Sequence, residues 1–182
     1  TTSIAAGRTA MLVVVDDALV GCLVVADEIK PSAPGAVAEL KSMGLRTVLL
    51  TGDTEAAARH VADRIGIDDV VAGVLPTEKA STIERLQGEG AERHRVAMVG
   101  DGINDAAALA SADLGLAVVS GTEIAMKSAD IILVRQHLGV VPDAIGLARR
   151  TLRTIRGNLV WAFAYNVAAI PLAAAGLLNP LI

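Results

Sequence analysis

The chain predicts an α/β fold, a doubly wound parallel sheet followed by a long apolar helix. Three observations carry that expectation. Short apolar runs alternate with helix-patterned stretches along residues 45–135. Clusters of Gly, Thr and Asp fall just after two of those runs, where open α/β sheets hold their ligands. Residues 159–182 carry no charge, a run about long enough to cross a bilayer.

Composition narrows the function classes. The 182 residues suit one domain plus an appendage. A net charge of −4 gives no electrostatic basis for nucleic acid as a partner. Cys22 is the single cysteine, so a disulfide framework and a cysteine metal cluster within the chain are excluded, and a reducing compartment suits the polar part. Trp161, Phe163 and Tyr165 are the only aromatics. The chain starts at Thr1 without a signal-peptide pattern and stays apolar to Ile182, which reads as a fragment of a longer protein.

Taken in order, residues 10–15 (AMLVVV), Asp16 and Asp17, and residues 19–25 (LVGCLVV) read as strand, turn, strand. An apolar strand ending in Asp16 is also how a phosphorylatable aspartate is presented, but the following DALVG lacks a supporting Thr, so the hairpin is preferred. Cys22 is expected to be a small buried residue. Residues 27–34 (DEIKPSAP) form a hinge stiffened by Pro31 and Pro34, with Ser32 to cap a helix over 35–43 that turns Val37, Leu40 and Met43 inward and stops at Gly44.

A strand at 46–51 ends in Thr51, Gly52 and Asp53, and a helix over 54–65 closes at Gly66. After an apolar strand at 70–74 comes LPTEK, with Thr77 as the expected cap and Lys79 in the first turn of a helix reaching about Gln87. A cation there opposes the helix dipole, so an anion is expected nearby. Residues 96–99 form a buried strand broken by Gly100, Asp101 and Gly102, with Asn104 or Asp105 capping the next helix. The carboxylates of Asp101 and Asp105 repel each other, and all-oxygen ligands point to Mg2+ as their neutraliser. Strands at 114–119 and 130–134 flank a helix containing Ala125 and Met126. Pro142 opens a long helix in which Ile145, Leu147, Leu152 and Ile155 interleave with Arg149, Arg150, Arg153 and Arg156. Arginines before an uncharged span put that flank on the cytoplasmic side. His60, His94 and His137 show no ligand spacing and are expected at the surface.

The motifs TGDT at 51–54, LPTEKA at 75–80 and GDGINDAAAL at 100–109, in this order before a membrane helix, resemble the phosphorylation domain of P-type cation-transporting ATPases, members of the haloacid dehalogenase superfamily. The resemblance implies that Thr51 hydrogen-bonds a phosphoryl group, with Gly52 and Asp53 in the same loop. It implies that Lys79 neutralises phosphate oxygens, that Asp101 and Asp105 hold Mg2+, and that Asn104 positions the phosphoryl oxygens or their water. Neither the family's phosphorylated aspartate in its DKTGT-type motif nor its ATP-contacting motifs occur in the chain, so the ATP site is expected mostly outside it and the fragment alone is expected to be inactive. The sheet therefore lacks its nucleophile strand, between the Thr51 and Asp101 strands; either a gap or residues 11–15 should take its place. Thr54 stands where the family often has Asn and Ala107 where it usually has Pro.

On this resemblance, residues 1–26 are the tail of a nucleotide-binding domain and 27–140 a partial phosphorylation domain. Residues 141–158 are an amphipathic connecting helix and 159–182 a truncated transmembrane helix. Tyr165, Asn166 and Pro171 form YNxxxxP, similar to a membrane helix of the copper-exporting branch, so Tyr165 and Asn166 are candidate ligands of the transported ion, Cu+ first and other heavy metals next. Pro171 is expected to bend the helix. The implied setting is a multi-pass pump of the cell membrane with its sheet domain cytoplasmic; its partners are the metal ion, the lipid bilayer and the rest of the same ATPase. Two rival functions are a soluble phosphatase of the superfamily using Asp16, and a non-catalytic membrane-anchored module that binds phosphate.

Overall fold

Among the described residues, two short parallel sheets underlie the site. The computed structural model describes residues 9–25, 28–88, 93–100, 105–118, 128–135 and 137–176. It divides into two compact units, Thr1–Pro142 and Asp143–Ile182.

Strands β1 (Thr9–Val15) and β2 (Ala18–Val25) form the expected antiparallel hairpin. Asp16 and Asp17 make its turn at φ 47° and 61°, the left-handed pair that matches the twist of a two-residue hairpin. Met11, Leu12, Val14, Val15, Leu19, Val20 and Leu23 are all exposed, so both faces of the ribbon are open. For the same reason Cys22 is exposed rather than buried: alternation in a strand buries a residue only where something packs on its face.

Helix α1 (Ala33–Ser42) buries Ala33, Ala36 and Val37, carries Pro34 in its first turn, and ends before Gly44 at φ 79°. Ser32 occupies the capping position but makes no capping bond. Its Oγ instead accepts from the Leu138 N–H at 3.1 Å, just before the C-terminal helix, where Val141 and Pro142 are buried.

Strand β3 (Val48–Leu50) is followed by α2 (Glu55–Ile65), capped by the Thr54 hydroxyl, which accepts from the Ala57 N–H at 3.4 Å, and closed by Gly66 at φ 78°. Strand β4 (Asp69–Val71) lies parallel to β3. Asp68 ties their amino ends: Lys41 approaches it at 2.6 Å, and the Thr47 N–H and hydroxyl each donate to it at 2.9 Å. These contacts, Lys41 foremost, hold its carboxyl down at about 2.

Helix α3 (Lys79–Gln87) leads to the second sheet, in which β5 (Ala97–Gly100), β6 (Leu114–Val118) and β7 (Ile131–Leu133) run parallel in sequence order, with α4 (Ala106–Ser111) between β5 and β6. Asp113 ties its amino end by accepting from the Val96 N–H at 3.0 Å, Gln87 Nε2 at 2.8 Å and Arg93 at 3.0 Å. The Val96 N–H is the main reason its carboxyl lies below the usual carboxylate range. Gly115 is required by close approach, since a Cβ there would lie 2.7 Å from the Leu109 carbonyl oxygen.

One core joins the sheets: Ile83, Met98, Ala108, Leu109 and Ala117 form it, and Leu50 of β3 packs against it. Yet no described strand pairs with both β3 and β5, and β1 pairs only with β2. The gap expected from the resemblance is present among the described residues, and residues 11–15 do not fill it. The C-terminal helix α5 (Val140–Ala174) runs unbroken through Pro171 and is long and apolar enough to cross a membrane.

Candidate functional site

The polar groups gather at the carboxyl ends of the strands, on either side of the gap. Lys79 is the first residue of α3, the helix after β4, and Asp105 immediately precedes α4, the helix after β5. Lys79 Nζ donates to Asp105 Oδ1 at 2.6 Å, and each side chain is only 14% exposed. The anion expected beside a lysine at a helix N-terminus is therefore a carboxylate from the other sheet.

Two capping expectations change with it. Asp105 sits at the α4 cap position at φ −109° and ψ 4° but makes no capping bond, because its carboxylate is turned to Lys79. Thr77 does not cap α3 either: Glu78 holds that position, and its Oε2 accepts from the Leu75 N–H at 3.2 Å, bracing the turn before Lys79. Gly100 makes room for the pair, since a Cβ there would lie 2.8 Å from Asp105 Oδ2. Reading Gly100 as a strand breaker missed this role; the only signal in the sequence is a glycine five residues before an aspartate that must fold back over it.

The loop after β3 is built from its own side chains. Thr51 Oγ1 donates to Asp53 Oδ2 at 3.0 Å and accepts from the Asp53 N–H at 3.1 Å. The hydroxyl's one proton is thus committed to Asp53, and rotation is needed before it donates elsewhere. Backbone bonds stitch this loop to the segment after β4: Thr51 N–H to Val71 O at 3.0 Å, Val74 N–H to Thr51 O at 3.1 Å, and Gly73 N–H to Asp53 O at 2.8 Å. Gly52 is fitted against that segment, because a Cβ there would lie 3.3 Å from the Val74 carbonyl oxygen. Residues 51–53 are in this way attached to the strand end that runs directly into Lys79.

Asp101 and Asn104 lie outside the described residues. Asp105 alone represents the expected Mg2+ pair, and among the described residues no three His, Cys, Asp or Glu side chains cluster as a metal site. What is described fits one magnesium ligand in its chemistry: a hard oxygen donor, nearly buried, with Oδ1 engaged by Lys79 and Oδ2 lying over the Cβ-free Gly100. On α5, Tyr165 and Asn166 are exposed, and Asn166 Nδ2 donates to the Ala162 carbonyl at 2.9 Å. His60, His94 and His137 are exposed, as expected.

A family model of haloacid dehalogenase-like hydrolases matches residues 2–113. The chain is 60% identical over 176 residues to the cation-transporting P-type ATPase B of Mycobacterium tuberculosis (strain ATCC 25618 / H37Rv), covering 97% of this chain and 23% of that protein. It is 58% identical over 176 residues, with the same 97% and 23% coverage, to the copper-exporting P-type ATPase of the same strain. A crystal structure of a zinc-transporting PIB-type ATPase in its E2.Pi state superposes with a TM-score of 0.83 at 35% identity, over 98% of this chain and 29% of that one. The chain thus spans about a quarter of the length of the curated relatives, 23%.

Proposed function

Because the chain belongs to the haloacid dehalogenase-like hydrolases and matches P-type cation-transporting ATPases along 97% of its length, we propose that it serves a heavy-metal-exporting pump. In it, this part handles the phosphoryl group of an aspartyl phosphate. The observation that carries the reading is the Lys79–Asp105 pair, which brings together loops from two sheets at the strand ends flanking the gap.

Phosphoryl transfer asks for positioning and charge neutralisation more than for covalent chemistry from the protein. Lys79 sits on a helix N-terminus beside a carboxylate, so it is held in place and ready to neutralise phosphoryl oxygens. Thr51, freed from Asp53 by rotation, donates to the same group, with Gly52 and Asp53 shaping the loop. Asp105, with Asp101, is the assigned holder of the Mg2+ that the family implies; when bound, that ion neutralises charge on the phosphoryl oxygens. Asn104 is assigned to positioning these oxygens or their water. The aspartate that carries the phosphoryl group is assigned to a strand between β3 and β5, and ATP to the larger protein. Asp16 sits in a hairpin turn at positive φ, which disfavours the reading as a phosphatase that uses it as nucleophile.

Residues 1–26, 27–140, 141–158 and 159–182 are read respectively as the tail of a nucleotide domain, a partial phosphorylation domain, a connecting helix and a membrane helix of a multi-pass protein in the cell membrane. The sheets are placed on its cytoplasmic side. Cu+ is the proposed cargo. The copper-exporting name of one relative and the YNxxxxP residues Tyr165 and Asn166, both exposed on α5, support this, and the zinc-transporting structural neighbour makes Zn2+ the competitor.

In the full transporter, Lys79→Ala should lower phosphoenzyme formation from labelled ATP by about a hundredfold to a thousandfold, the usual loss when a preorganised electrostatic partner is removed. Undiminished phosphorylation would overturn the role given to the pair. Cargo is decided separately, by whether Cu+ or Zn2+ stimulates ATP hydrolysis and whether Asn166→Ala abolishes that stimulation.

A further inference from the structure

We infer that the arginine face at the start of α5 is a binding surface for the headgroups of anionic phospholipids. The inference rests on the reading of α5 as a membrane helix but goes beyond it, because crossing a bilayer requires no lipid preference.

The charges of α5 are unevenly placed. From Asp143 to the end of the chain the only charged residues are Asp143 itself and Arg149, Arg150, Arg153 and Arg156, whereas the chain as a whole has a net charge of −4. All four arginines are exposed. At about 100° per residue, Arg149, Arg153 and Arg156 fall within roughly 60° of one another on the helix surface, with Arg150 at the edge of the same face. Leu152, Leu159 and Ile155 lie on the adjoining face, roughly 40–100° round the helix from Arg156, and are about half exposed, at 47%, 54% and 56%. A basic face bordered by an apolar one suits a segment that meets a membrane boundary.

Axial position agrees with angular position. Arg149 to Arg156 covers about 10 Å of helix axis, against a headgroup layer of roughly 5–8 Å on each side of the hydrocarbon. The apolar run begins at Leu159, three residues after Arg156, so with that run in hydrocarbon the arginines stand at phosphate level. Guanidinium groups bind phosphate bidentately, and each basic residue near an anionic leaflet contributes about 1 kcal/mol. A protein carrying net negative charge is otherwise repelled by such a leaflet, so the arginine face selects the lipid locally.

Trp161, the only tryptophan, lies five residues beyond Arg156 and reports on that layer. The 182-residue chain is reconstituted in phosphatidylcholine vesicles holding phosphatidylglycerol, with a trace of dansyl-labelled phosphatidylglycerol or dansyl-labelled phosphatidylcholine. Energy transfer from Trp161 should be about twofold or more greater to the anionic probe. Salt of about 1 M, where the Debye length is about 3 Å, should erase most of that excess. R149Q/R153Q/R156Q should abolish it, and the corresponding lysine variant should keep part of it. Equal transfer to both probes in the unaltered chain, as expected if the arginines serve an acidic protein segment, overturns the inference and leaves the membrane helix standing. So does an anionic preference indifferent to salt, or one that survives the glutamine variant. Failure of the chain to float with the vesicles overturns the membrane helix and this inference together.

Discussion

Strands β3 and β6 are built from similar residues, VLL and LGLAV, and both lie in parallel sheets, yet they differ in burial. β6 is paired on both sides and buries Gly115, Leu116 and Ala117; β3 is paired only with β4, and its three residues are all half-buried. Strand β5, facing the same gap, leaves Ala97 exposed. Parallel strands are normally covered on both faces, and among the described residues β3 has a pairing partner on one side only, as befits an edge strand. What differs between the two strands is pairing, β6 having a neighbour on each side and β3 on one, and the Lys79–Asp105 pair joins the loops beyond the two open edges, those of β3's sheet and β5's.

That contrast can be broken first at its most buried point. Leu116, 1% exposed, should lose about 2–5 kcal/mol of stability on replacement by Ala, whereas Leu50→Ala at the open edge should cost only about 1 kcal/mol. Denaturant unfolding of the two variants measures the difference, and equal costs would mean that β3 is as enclosed as β6. Hydrogen exchange sharpens the same point: the amides of residues 48–50 should exchange faster than those of 115–117 in this chain, and the disparity should shrink in the full transporter.

Gly115→Ala probes β6 through its backbone. The new Cβ meets a carbonyl oxygen at 2.7 Å, not the movable end of a side chain, so β6 and α4 must separate, at about 1–3 kcal/mol. Gly52→Ala, at 3.3 Å from the Val74 carbonyl in the loop after β3, should cost less. Thermal melting ranks the pair, and the reverse order would contradict the tight packing of β6 on α4.

The smallest expected effect is at acid pH, where the halves should behave alike. Asp68 has its carboxyl lowered from 3.8 to about 2 in the folded chain, so its ionised form favours folding above 3.8. That contribution is lost as pH falls from 3.8 through about 2. Asp68→Asn should therefore flatten the acid side of the stability curve while lowering stability near neutrality. Asp113, lowered chiefly by the Val96 N–H, should give the same sign in the other sheet. Stability that rises on acidification in either variant's parent would reverse the assignment.

Much of this was legible in the residues because it depends on local chemistry. The Asp16-Asp17 turn and the glycine stops at 44 and 66 need only their neighbours in sequence, and they fall where expected; Thr54, read as the first residue of its helix, caps it instead. Failures occurred where a side chain had a choice of distant partners. Ser32, Thr77 and Asp105 all read as caps, but the Ser32 hydroxyl goes to Leu138, Glu78 takes the place of Thr77, and Asp105 turns to Lys79, 26 residues away. Cys22 failed for the complementary reason: a strand's alternation says which residues share a face but not whether that face is covered.

The sequence by itself determined the order of strands and helices, the motif residues at the strand ends, and the abrupt change from a charged segment to an uncharged one, since periodicity, turn geometry and charge are properties of neighbouring residues. Only the tertiary structure decided that Lys79 is joined to Asp105 across two sheets, that Gly100 must lack a side chain to admit that carboxylate, and that β1 leaves the gap open. Those outcomes depend on which groups compete for one donor, acceptor or volume in space, and spacing along a chain does not encode that competition.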